Sequence, residues 1–222
     1  MIDVKAAKKL ILSGIAECAA RDGFTSKISE QAFYLAKPFG RCIIHIGFIP
    51  HRTVDVDITA DIAVRINVVE TLVNENRANL SAREAESTAT LGGDVGNLSE
   101  GKQKRWNLTA VNQSSEVSCL IYSKIREIAW PFFDRYSDMR NILTVLTSSA
   151  PRDWVLSPGH SARSCRAVAL AFALGGGDNI SAVVQICESL LLEKDPDALP
   201  EFSAFVDILK AKLEKAELPK LF

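Results

Sequence analysis

"TVDVDITADIAVRI" (residues 53–66) decides the fold. Apolar residues recur at every second position through Val54, Val56, Ile58, Ala60, Ile62, Val64 and Ile66, and Asp55, Asp57 and Asp61 fall between them. A period of two belongs to a β-strand, whose successive side chains point to opposite faces. One face is therefore apolar and covered, and the other carries three carboxylates. The preceding "GRCIIHIGFI" (40–49) alternates in the same way, and the short "PHRT" (50–53) between the two predicts an antiparallel hairpin.

The pairing has a definite polarity. When Cys42, Ile44, Ile46 and Phe48 share a face with Val54, Val56, Ile58 and Ala60, the other face collects Arg41, Ile43, His45, Gly47 and Ile49 with Asp55, Asp57, Thr59 and Asp61. A slip of one residue sets aspartates against isoleucines on the covered face, and burial rejects it. With Phe48 opposite Val54, His45 falls opposite Asp57 and Arg41 opposite Asp61. Such cross-strand pairs contribute about 0.2–1 kcal/mol each.

On the N-terminal side, Val4, Ala7, Ile11, Ile15 and Cys18 stand at helical spacing with Asp3 as N-cap and Gly23 as stop, which predicts an amphipathic helix. "QAFYLAK" (31–37) is a further short strand. On the C-terminal side, "VVETLVNENRANL" (68–80) reads as a short helix or irregular return. "STATLGGDVGNLSEG" (87–101) reads as a Gly-containing hairpin or a loop, and "KRWNLTAV" (104–111) as the last strand.

Beyond Asn112 the pattern is helical. Val117, Leu120, Ile121, Ile125 and Ile128 form one stripe, which Pro131 interrupts within the aromatic cluster Trp130, Phe132, Phe133 and Tyr136. These aromatics are expected in the core, an exposed binding patch being the alternative. Ser137 is the expected cap of a helix carrying Met139, Ile142, Leu143 and Leu146, and three more helices follow, separated by "GGGDN" and "KDPDALP". Strands in one half and helices in the other argue for an α+β fold: an N-terminal helix on an antiparallel sheet of four or five strands, then a C-terminal helical region. The expected division is 1–112 for helix plus sheet and 113–222 for the helical region, together one compact domain.

Composition excludes several functions. Of 222 residues, 47% are hydrophobic and 24% charged, and Lys+Arg 26 against Asp+Glu 27 leaves a net charge of -1. A balanced chain lacks the basic field that dominates nucleic-acid affinity, so no nucleic-acid partner is expected. No stretch approaches the roughly 20 apolar residues of a membrane span, and "LILSGIA" is too short and mixed for a signal peptide. The expected location is the cytoplasm. Cys18, Cys42, Cys119, Cys165 and Cys187 are odd in number and widely spaced, without Cys-x-x-Cys, which argues against a disulfide framework and a structural zinc site.

The residues that could carry chemistry are few. Asp55, Asp57 and Asp61 stand at the spacing for sharing a cation, but Ca²⁺ and Mg²⁺ need further converging ligands. With His45 and Arg41 beside them, they read as the solvated face of a sheet, and no metal or cofactor is expected. His160 in "SPGHSARS" is the best catalytic candidate, yet Ser157 and Ser161 are explained as serines of a helix start. "Gly-x-x-x-x-Gly-Lys" occurs at Gly96–Lys102, but Gln103 replaces the hydroxyl residue of a phosphate-binding loop.

The stretches "RDGFTSKISEQAF", "GRCIIHIGF", "IREIAWPFFDRYSDMRNILTVL" and "RAVALAFALGGGDN" together resemble a family of uncharacterised bacterial proteins, a domain of unknown function. Some members lie near toxin–immunity loci, which implies a role in binding a partner protein. The resemblance implies no catalytic residues. Two functions follow. The first is a non-enzymatic protein-binding, immunity-like module whose polar face is Arg41, His45, Asp55, Asp57 and Asp61. The second is a small hydrolase or ligand-binding protein with a site between sheet and helices, built on His45, Asp57 and Arg41.

Overall fold

Asp3 accepts a hydrogen bond from the Ala6 N–H and starts helix α1 (Val4–Arg21), which the chain leaves through Gly23 in the left-handed region (φ 87°). The structure, a computed structural model, describes residues 2–52, 54–77, 80–175 and 177–214. Thr53 of the hairpin turn, Ala78 and Asn79 of the return, and Gly176 of "GGGDN" lie outside the described residues.

The fold is α+β, with an N-terminal helix, an antiparallel sheet and C-terminal helices, as the periodicities predict. The strands are β1 (Thr25–Lys27), β2 (Ala32–Lys37), β3 (Gly40–His51), β4 (Asp55–Ile66), β5 (Leu91–Asp94) and β6 (Trp106–Leu108). Strands β1 to β5 neighbour one another in chain order, and β6 also pairs with β4. The remaining helices are α2 (Asn67–Glu75), α3 (Ala82–Ser87), α4 (Val95–Glu100), α5 (Ser114–Arg135), α6 (Met139–Thr147), α7 (Pro151–Trp154), α8 (His160–Ala173), α9 (Gly177–Lys194) and α10 (Leu199–Glu214). The expected hairpin or loop at 87–101 is thus a strand followed by a short helix. Among the described residues, no helix is long and apolar enough to cross a membrane.

The chain forms two compact units, residues 1–64 with 92–134 and residues 65–91 with 135–222. In the first, the apolar face of the hairpin is buried, including Cys42, Ile44, Ile46, Val56, Ile58, Ala60, Ile62 and Val64. Helix α1 packs on β1 and β3. The hairpin register differs from the expected one. Gly47 lies so close to Thr59 that a β-carbon there would overlap Thr59 Oγ1. By antiparallel counting, His45 then meets Asp61 rather than Asp57, an even-numbered shift that keeps the side chains of both strands on their expected faces. Val54, by contrast, expected on the covered face, precedes β4 and is 70% exposed.

Helix α5 corrects the sequence reading twice. Its buried side is Ser118, Ile121, Tyr122, Ile125, Ala129, Phe132 and Phe133, while Leu120 is exposed. The face is rotated because small residues lie where α1 comes close: a β-carbon on Gly14 would collide with Ser118. Pro131 does not interrupt the helix. It lies on the exposed side, where the Glu127 carbonyl that it leaves without a donor can reach water, and Ala129, Phe132 and Phe133 carry the buried stripe past it. Phe24, Trp130 and Phe133 form tilted ring contacts at 5.9 to 6.3 Å. Phe132 and Phe133 are core, and Trp130 keeps 36% of its surface exposed.

The second unit is helical and centred on α8, which packs against α2, α6, α9 and α10 and is buried almost all round. Asp138, not Ser137, caps α6 by accepting from the Arg140 N–H. Two arginines on α8 hold the unit through buried polar contacts. Arg163 donates to the carbonyls of Leu146 (3.0 Å), Ser148 (3.0 Å), Asp153 (2.9 Å) and Val145, and stacks on Trp154. A cation thereby satisfies the orphan carbonyls at the C-terminus of α6. Arg166 pairs with the fully buried Glu70 at 2.9 Å, and Glu70 also accepts from the Thr90 hydroxyl at 3.0 Å. Tyr136 is buried in this unit, and desolvation moves its hydroxyl above its ordinary pKa against the opposing charge of Arg135.

Candidate functional site

Strand β6 brings Asn107 opposite Asp57. The Asn107 side-chain amide donates to Asp55 Oδ2 at 2.8 Å and to Asp57 Oδ1 at 3.0 Å. A neutral group with two N–H donors thus stands between two like charges and offsets their repulsion. The second oxygen of Asp57 faces His51 Nε2 at 3.0 Å and Arg105 Nη1 at 3.3 Å. The Asn107 hydrogen bond first, then those of His51 and Arg105, hold the Asp57 carboxyl below the usual carboxylate range against the opposing effect of burial.

The five residues read from the sequence as a polar face divide into three groups. Asp55 and Asp57 share Asn107. Asp61 and His45 Nδ1 approach to 3.8 Å, with side chains 49% and 45% exposed. Arg41 lies over the Tyr34 ring at 4.5 Å, and the Tyr34 hydroxyl donates to Glu30 at 2.9 Å. His45 thus lies beside Asp61, and Asp57 beside Asn107, His51 and Arg105, in place of the expected His45–Asp57 pair. Sequence reasoning missed Asn107, Arg105 and His51. The strand at 104–111 was legible, but not its pairing with β4 across the intervening chain. Among the described residues, no group of three His, Cys, Asp or Glu is arranged to hold a metal ion. The oxygens of Asp57 are already engaged by N–H donors.

The second unit contains a cleft of about 290 Å³ lined by Arg77, His160, Ser161, Cys165, Asp195 and Glu201 among others. Helix α8 begins at its mouth after Gly159 (φ 93°), without a side-chain cap. Ser157 is not a helix-start serine: it is buried, and its hydroxyl accepts from Arg166 Nη1 at 3.3 Å. The His160 ring packs on Trp154 with centroids 4.3 Å apart, and its Nδ1 is buried without a hydrogen bond. Burial first, then Glu201, pushes the Cys165 thiol up to about 12, so it stays protonated and is no nucleophile at neutral pH. Arg77, Asp195 and Glu201 were invisible as a group, because they come from three separate segments. No family model, no curated protein and no solved structure matches the chain, so the functional reading rests on these residues.

Proposed function

We propose that the protein is a non-enzymatic protein-binding module, immunity-like in the sense the family resemblance implies, which holds a basic surface of its partner through the Asp55, Asp57 and Asp61 face of the hairpin. One observation carries this reading. The carboxylates stand on a strand face with lateral donors, Asp61 half exposed, and Ile49 of the same face is 36% exposed. Exposed apolar side chains bordered by charge suit a protein interface, and the acidic row speeds and orients encounter with a cationic partner.

The test is capture from native cytosol followed by chemical crosslinking. Crosslinks should concentrate on residues 41–61 and on a lysine- or arginine-rich segment of the partner, and retention should fall with added salt. The triple variant Asp55→Asn, Asp57→Asn, Asp61→Asn should lose the partner with little change in melting temperature. Crosslinks elsewhere, or full retention by the folded variant, overturn the reading.

A second reading, a small ligand-binding protein, draws on the helical cleft. Arg77 offers a cation, and Asp195 and Glu201 offer anions, at one opening, a set suited to a small molecule bearing both charges. A thermal-shift screen with amino acids and carboxylates tests it. A rise in melting temperature that Arg77→Ala and His160→Ala both abolish favours this reading over the first.

A further inference from the structure

Cys18 on α1 and Cys119 on α5 are distant in sequence and meet in the fold. The two helices are clamped on either side of them. Gly14 lies against Ser118, where a β-carbon has no room. Further along, the Tyr122 hydroxyl donates to Asp22 at 2.7 Å, and Arg126 Nε lies 3.4 Å from the same carboxylate. Between these contacts Cys18 and Cys119 are neighbours, near enough that Cys119 helps raise the Cys18 thiol. Both are free thiols, Cys119 exposed and Cys18 partly so, whereas Cys42, Cys165 and Cys187 are buried.

We propose that Cys18 and Cys119 form an oxidisable dithiol, which a hydroperoxide converts into a disulfide joining α1 to α5. The Cys119 sulfur attacks the terminal peroxide oxygen: an S–O bond forms, the O–O bond breaks, and water or an alcohol leaves with the thiol proton. The Cys18 sulfur then attacks the Cys119 sulfenic acid. An S–S bond forms, the S–O bond breaks, and the departing hydroxide takes the Cys18 proton as water. Two thiols lose two electrons in total, and hydrogen peroxide is reduced to two waters. The exposed Cys119 is the sulfur that meets the oxidant. Cys18, whose thiol is raised by burial first and then by Cys119, is the resolving partner.

The experiment treats the whole protein with hydrogen peroxide, alkylates it in denaturant, and maps peptides by mass spectrometry without reduction. The expected product is a peptide pair linked through Cys18 and Cys119, in a protein that remains monomeric on a non-reducing gel. Cys42, Cys165 and Cys187 are alkylated as before, and the melting temperature rises and returns on reduction. In Cys18→Ser the linked pair is lost, and dimedone traps the sulfenic acid at Cys119. Cys18→Ala serves as the second variant should the first fold poorly. Over-oxidation of Cys119 without linkage in the wild-type protein overturns the proposal. So does linkage only between molecules, or equal dimedone trapping with and without Cys18.

Discussion

Asp57 and Glu70 are both carboxylates beside an arginine, and they show two uses of the same pair. Asp57 meets Arg105 at 3.3 Å on a surface where the arginine side chain is 48% exposed. Glu70 meets Arg166 at 2.9 Å with the carboxylate fully buried and the guanidinium 11% exposed. Water screens the first pair, which adds at most about 1 kcal/mol and can exchange its partner for another cation. The second is almost wholly withdrawn from water, so each member requires the other, and removing one strands a charge. The surface set is fit for recognition and the buried set for holding helices in register.

The largest expected effect breaks the buried pair. Glu70→Ala should cost about 3–5 kcal/mol in urea unfolding, because Arg166 is left uncompensated. Replacing both members together with apolar side chains should cost much less than either single change. A loss under about 1 kcal/mol for Glu70→Ala would erase the contrast with Asp57. Next comes Gly47→Val, which forces a side chain into Thr59 and should cost about 1–3 kcal/mol, read from the shift of the unfolding midpoint. Smaller again is Asp61→Asn, expected to change stability by less than about 1 kcal/mol, since Asp61 and His45 are half exposed.

The smallest effect sharpens the picture of Asp57 itself. Its carboxyl is held below the ordinary range in the folded state, so its contribution to stability is present at neutral pH. That contribution is lost as pH falls below the ordinary carboxylate range and through the folded value. Asn107→Ala removes the leading cause. The Asp57 titration followed by NMR should move up toward the ordinary value, and the acid-dependent part of its contribution should shrink. An unmoved titration assigns the effect to His51 and Arg105 instead.

The period of two over 54–66 made the sheet and its covered face legible, because every buried apolar side chain of β4 is two residues from the next. The partner of each residue across the hairpin was not legible. Shifts by an even number preserve the faces, and the contact that selects among them is the bare backbone of Gly47 against Thr59. Hydrophobicity misjudged α5 for a related reason: Ser118 and Ala129 are buried for their size, while Leu120 is left outside. Capping was ambiguous where Ser137 and Asp138 adjoin, both being good acceptors. The cleft around His160 draws on segments far apart in the chain, and no local pattern announces such a convergence.

Arg163 grips the end of α6 and the backbone carbonyls of Asp153 and Ser157 with one guanidinium. The segment from Ser148 to Ser157 is therefore tied at both ends to a single side chain. Its amides are expected to open to solvent hydrogen exchange together, as one cooperative unit gated by that arginine, and not to fray residue by residue from the tip.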